Sequence, residues 1–154
     1  MRRTKGQKEK KSKRLWLRQR QFVNASPSRV FQALTDPSEL LHWLVINAQV
    51  DARRGGTMTL DWPSGKHVTG KILEFIQDKR LKIPWTERTQ VRFDLAPKEK
   101  GTVLTLTHRG YADDKWWSKN FIGHCAGWAY FLMNIKSWIE YGNDLRSDVF
   151  GHRP

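Results

Sequence analysis

From Leu15 onward apolar and polar residues alternate: in LWLRQRQFV, Leu15, Leu17 and Val23 fall on one side and Trp16 and Phe22 on the other. A period of two is that of a strand, and apolar residues on both sides predict a first strand over 15–23 with both faces partly covered. The period then changes. Ser26-Pro27 and Asp36-Pro37 are two closely spaced helix starts. In each, a capping side chain precedes a proline at the first helical position, where the missing N–H costs nothing. Val30, Phe31 and Leu34 share one face of the first helix. Pro37 disfavours helical geometry at Asp36 and so ends that helix, while Glu39 occupies the capping-box position of the second. Two short helices therefore meet at a corner closed by Leu40, Leu41 and Trp43.

Alternating runs return at 46–53, 57–62, 67–76, 81–85, 89–96 and 102–109. They are joined by Gly55-Gly56, Pro63-Ser64-Gly65, Gln77-Asp78-Lys79 and the turn 98–101. Short joins of turn residues predict a sequential antiparallel meander. Pro84 lacks a ladder donor, so its strand is expected to be short, bulged or at an edge. The last element has a different period. Phe121, Cys125, Trp128, Leu132, Ile135 and Ile139 recur at steps of four and three, and His124, Phe131 and Trp138 widen the stripe. This is a long amphipathic helix, stopped at Gly142-Asn143. At roughly 22 residues it spans about 33 Å, enough to cover one face of a sheet.

The chain of 154 residues has the length of one domain, here expected over 15–154. Its formal net charge of +13 suggests a nucleic-acid partner until the charge is located. Residues 1–14 hold eight Lys or Arg and one Glu, with no apolar run. Such a segment is neither a signal peptide nor a membrane anchor, and like charges this dense predict a disordered tail. Its expected partners are nucleic acid or an acidic protein, bound weakly and without sequence preference. A single cysteine, Cys125, excludes an internal disulfide and fits a reducing, cytoplasmic setting.

The stretches ASPSRVFQALTDPSELLHWL, GGTMTL, GKILEF with RLKIPWT, LTLTHRGY and GWAYFLMNIKSWIE, in this order, resemble the START-like (SRPBCC) superfamily. The similarity is to its Aha-like branch, the heat-shock-chaperone ATPase activator homologues. The resemblance implies an α+β helix-grip fold, with a curved antiparallel sheet of about seven strands wrapped around the C-terminal helix. It also implies a cavity between sheet and helix, used across the superfamily for apolar ligands, for several enzyme activities or for protein contacts. The eukaryotic co-chaperones of this branch carry a separate N-terminal domain that makes the main chaperone contact, where this chain has its basic tail.

Trp43, Trp62, Trp85, Phe93, Trp117 and Trp128 lie on elements that must face one another. Each serves either as core packing or as the wall of a cavity, where an indole N–H finds a partner. His108 ends the last strand on the side of Leu104 and Leu106. There it either orients a ligand oxygen or is held by a structural hydrogen bond. GHCAG copies a nucleophile elbow in spelling only, because it lies in a helical pattern rather than a strand-to-helix turn. PSGKH lacks the first glycine of a phosphate loop, and no spaced His or Cys set completes a metal site. The expected function is binding of a small apolar or aromatic ligand, without cofactor or metal, by these six aromatic residues and His108. A cavity enzyme using His108 and a nucleic-acid-binding or chaperone-associated protein using the tail are the alternatives.

Overall fold

The computed structural model describes residues 15–86, 88–111 and 115–146, without the side chains of 115–118. The expected disorder of 1–14 lies outside the described residues. The elements run β1 (Trp16–Val23), α1 (Pro27–Thr35), α2 (Pro37–Leu40), β2 (Asn47–Val50), β3 (Thr57–Asp61), β4 (His67–Lys71), β5 (Glu74–Ile76), β6 (Arg80–Pro84), β7 (Gln90–Lys98), β8 (Gly101–Arg109) and α3 (Lys115–Tyr141). The architecture is α+β, with two short helices after the first strand and a long C-terminal helix on a sheet.

The single sheet of about seven strands is replaced by two antiparallel sheets, ordered β1-β8-β7-β6-β5 and β2-β3-β4. The run expected over 67–76 divides into β4 and β5, because the backbone changes partner in mid-run. Ile72 exchanges hydrogen bonds with Gly55 and Gly56, at 2.8 Å each, whereas Leu73 N–H donates to Lys82 O at 2.8 Å. Pro84 lies beside this break. Trp85 N–H donates to Thr89 O across the β6–β7 pair, so alternation leaves Pro84 at a position whose N–H would point away from β7. No ladder bond is lost there. A Cβ on Gly70 would come within 2.4 Å of Pro84 Cγ, so only glycine lets the two sheets approach at this point.

The corner between α1 and α2 forms as its caps dictate. Ser26 Oγ accepts from Arg29 N–H at 3.2 Å, and Asp36 Oδ1 accepts from Ser38 N–H at 2.8 Å. Val30, Phe31, Leu34, Leu40 and Trp43 are buried. Glu39 does not close a capping box: it accepts from Arg29 Nη1 at 2.9 Å and from Trp138 Nε1 at 2.8 Å, tying α2 to both other helices.

Helix α3 has 27 residues, about 40 Å long, and exceeds the predicted length at its N-terminal end. Trp128, Leu132 and Ile135 are buried, while Phe121, Cys125, Phe131, Trp138 and Ile139 pack partly buried against the core. Gln19 Nε2 donates to Cys125 O at 2.9 Å, which fixes the side of β1 bearing Leu17 and Gln19 toward the helix. Past Gly142, in the left-handed region at φ +69°, the chain returns to the corner. Arg146, 2% exposed, donates to Val45 O at 2.9 Å, to Leu41 O, and to both oxygens of Asp144. The buried Asn134 amide donates to Trp43 O at 2.9 Å and to Asp144 Oδ1 at 3.1 Å.

Candidate functional site

At the end of the sheet where β8 finishes and α3 crosses, four elements bring one aromatic and one titratable cluster together. Trp62 follows β3 and Trp85 follows β6; their rings meet edge-on, with centroids 5.4 Å apart. Trp128, from the middle of α3, lies 4.7 Å from Trp85. Phe93 of β7 supports Trp128 from behind, edge-on at 5.8 Å. These four predicted residues are therefore assembled in one place, and His108 joins them.

His108 is wholly buried. Its Nδ1 lies 3.1 Å from the Trp128 indole Nε1 and 2.8 Å from the Tyr111 hydroxyl. An indole nitrogen only donates, so Nδ1 accepts and the proton of the neutral ring sits on Nε2. Tyr111 then directs its proton to His108 Nδ1, since otherwise two lone pairs would face each other. The His124 Nδ1–H, 2.7 Å away, in turn donates to the tyrosine oxygen. Burial, and secondarily the charges of His124 and Lys66, push the His108 pKa down to about 3. Burial and then Lys66 push His124 to about 4. Burial and then Cys125 raise the Tyr111 hydroxyl. All three are neutral at pH 7. His108 Nε2 and Trp85 Nε1 are buried donors with no hydrogen-bond partner among the described residues.

Lys66 comes from the β3–β4 hairpin, whose turn closes through Trp62 N–H to Lys66 O at 2.9 Å and so returns Lys66 beside Trp62. Its Nζ lies 5.0 Å from the Trp62 ring centroid and 4.9 Å from that of Trp85. Burial lowers its pKa. Among the described residues no carboxylate pairs with it. Lys66, Trp85, Gly123, His124, Gly127, Trp128 and Phe131 line a pocket of about 110 Å³ that opens at the helix. The two glycines, one helical turn apart, leave this space: a Cβ on either would meet nothing within 4 Å.

The pocket is small because the aromatic cluster fills most of the space between sheet and helix. At about 110 Å³ it is smaller than the apolar cavities of about 150 Å³ that accept benzene. Trp43 lies elsewhere, at the α1–α2 corner, buried and donating from Nε1 to Ala33 O at 2.8 Å. The Trp117 side chain is outside the described residues. Lys66, Tyr111, His124 and Gly127 were not anticipated as site residues. The pairing of Trp62 and Lys66 across a short hairpin was the signal available for Lys66.

The profile described as Activator of Hsp90 ATPase homolog 1-like protein matches residues 24–140. Among solved structures, the protein SSP2350 from Staphylococcus saprophyticus superposes with a TM-score of 0.76 at 22% identity, covering 86% of this chain and 97% of that one. The Aha1 dimer from Colwellia psychrerythraea, solved in solution, gives 0.72 at 24% identity, covering 83% and 98%. DynU16, a putative protein in the dynemicin biosynthetic locus, gives 0.75 at 22% identity, covering 86% of this chain and 50% of that one. At these identities the likeness shows the fold alone. No curated protein matches the chain.

Proposed function

The chain belongs to the family of Activator of Hsp90 ATPase homolog 1-like proteins, within the START-like (SRPBCC) superfamily, and on that premise we propose that it is a ligand-binding module. Its ligand in this reading is a small aromatic acid: a single ring inserted between Trp85, Trp128 and Phe131, with a carboxylate held by Lys66.

The observation that carries this reading is the state of Lys66. An ammonium withdrawn from water, stacked on two indole faces and without an acidic partner, is stabilised only in part by its rings. A carboxylate at the pocket mouth supplies the missing charge. The groups left unpartnered nearby, Trp85 Nε1 and His108 Nε2, are donors as well, and so favour an acceptor-bearing ligand over a cationic one. His108, with its proton on Nε2 and a pKa near 3, acts as a donor at neutral pH and not as a base.

Titration of tryptophan fluorescence with benzoate, phenylacetate and their neutral isosteres benzamide and benzyl alcohol tests the proposal. The acids are expected to quench saturably and to raise the melting temperature, as any ligand selective for the folded state must. Lys66→Gln is expected to abolish the preference for the acids. Equal binding of acids and neutral isosteres by the parent protein would refute the role given to Lys66.

A further inference from the structure

The outward side of the five-stranded sheet carries a second, independent arrangement. Residues in register across a ladder share a face. Leu17, His108 and Val91 are in register on the inner side, so the alternate positions point outward. One outward row runs Trp16, Arg109, Gln90 and Pro84; the next runs Arg18, Thr107, Arg92, Lys82 and Glu74; a third runs Arg20, Thr105, Asp94 and Arg80. These rows hold six cationic side chains against two carboxylates. Both carboxylates are engaged: Asp94 by Arg80 at 2.6 Å and Arg92 at 2.7 Å, Glu74 by Arg80 at 3.3 Å and Lys82 at 3.5 Å. Arg18, Arg20 and Arg109 are exposed cations in excess.

No described helix covers this side, and Trp16 at its edge is 50% exposed with the Arg109 guanidinium 5.2 Å from its ring centroid. The outer face of the first strand, expected to be partly covered, leaves Trp16 and Phe22 50% and 39% exposed. In the middle of the cationic rows sits Thr107, 3% exposed, whose hydroxyl has no hydrogen-bond partner. It forms the floor of a hollow of about 100 Å³ walled by Lys82, Gln90, Arg92 and Arg109. Gln90 and Arg109 also line an adjoining groove of about 470 Å³ that runs along Leu15, Trp16 and Arg88.

We propose that this face binds single-stranded nucleic acid, with a phosphate over Thr107 among Lys82, Arg92 and Arg109 and a base stacked on Trp16. Thr107 and the cations Lys82, Arg92 and Arg109 line one hollow, and a phosphate entering it meets charge-assisted contacts from more than one side chain. The groove beside it joins cations to an exposed ring, the combination that holds a strand through its backbone and the faces of its bases. A duplex hides its base faces and leaves Trp16 without a role. Residues 1–14 lead directly into Leu15 on the rim of the groove and add charge of the same sign. The site itself belongs to the folded sheet, whatever the tail contributes.

Fluorescence anisotropy of labelled oligothymidylate and of a duplex of equal length, at several salt concentrations, tests this on the full chain. Arg18→Gln/Arg109→Gln changes two exposed side chains. It should weaken single-strand binding at least tenfold at low salt and lower the slope of log K against log salt by at least about 0.7, the share of the one phosphate contact assigned to Arg109. Trp16→Ala should weaken single-strand binding about tenfold and leave duplex binding unchanged. A control, Lys10→Gln/Lys11→Gln/Lys13→Gln, should reduce both substrates alike. If the sheet variants bind like the parent while the tail variant loses affinity, the proposal is overturned and binding belongs to the tail. Undiminished binding by Trp16→Ala, or equal affinity for polyglutamate, overturns it in favour of a general polyanion surface.

Discussion

The indole of Trp128, on the helix, donates to Nδ1 of His108, on the last strand, across 3.1 Å of the interface that holds the molecule together. One imidazole thus satisfies groups from both layers. His108→Phe keeps a ring of similar volume but leaves the Trp128 N–H and the Tyr111 hydroxyl without this acceptor. Leaving buried polar groups unpaired costs about 1–3 kcal/mol each. A loss of about 2–4 kcal/mol in urea unfolding is expected, where His108→Gln, which can still accept, should lose less.

Acid stability follows from the same cluster. Folding lowers the pKa of His108 from 6.5 to about 3 and that of His124 from 6.5 to about 4, so between those values and 6.5 the unfolded chain binds more protons than the folded one. Stability is therefore fully present above about pH 6.5 and is lost as pH falls toward 4, by up to ~1.4 kcal/mol per pH unit for the buried His108 and by less for His124, which is partly open to solvent and its screening. Unfolding midpoints measured from pH 4 to 8 should show this decline, and His124→Gln should flatten it in part. An unchanged slope in that variant would place the titrating group elsewhere.

Gly127 keeps the pocket open at the expense of the helix. With nothing within 4 Å of a Cβ there, Gly127→Ala should stabilise the protein by about 0.8–1 kcal/mol, the ordinary difference in helix propensity. Gly127→Leu should fold as well and lose quenching by aromatic acids, because its side chain enters the pocket. Retained binding in the leucine variant would move the ligand away from α3.

Arg146 is the cation most nearly sealed from water among the described residues, and Asp144 is its counter-ion at 2.8 Å. Arg146→Met fills similar volume but removes the guanidinium from the carboxylate, which keeps the Asn134 amide and the backbone N–H of residue 146, and from the Leu41 and Val45 carbonyls. Loss of one member of a buried pair costs about 3–5 kcal/mol, and the melting temperature should fall by roughly 10 °C at ~2–4 °C per kcal/mol. Asp144→Asn/Arg146→Met should recover part of that loss. Failure to recover would mean that the arginine acts through the carbonyls alone.

The local chemistry of the chain was legible where it depended on neighbours in sequence. The caps at Ser26 and Asp36, the corner they make and the stripe of α3 follow from spacing and turn residues, whereas Pro84 sits in an interior strand and is tolerated through a register that only the pairing with β7 reveals. Pairing between distant strands was not legible. The run from His67 to Ile76 reads as one strand, and only the change of partner at Ile72 and Leu73 divides it. Within the site, the tryptophans announced themselves by size, whereas Trp43 proved to be a corner residue of the same appearance. Lys66 and the outward arginines resembled ordinary solvated charges, since their meaning comes from what lies beside them across a hairpin or a ladder.

The first strand closes the structure only with the last elements to be made. Gln19 reaches Cys125 across 106 positions, Asn24 reaches Glu140 across 116, and β1 pairs along its whole length with β8. During synthesis β1 thus waits without its partners until β8 and α3 have left the ribosome, and the inward row of Leu17 and Val23 waits exposed with it. Contacts this far apart in sequence place folding in the millisecond-to-second range, because loop closure must precede the contacts that reward it. The basic residues before Leu15 give that waiting strand a local charge, and like charges hold such segments of neighbouring chains apart.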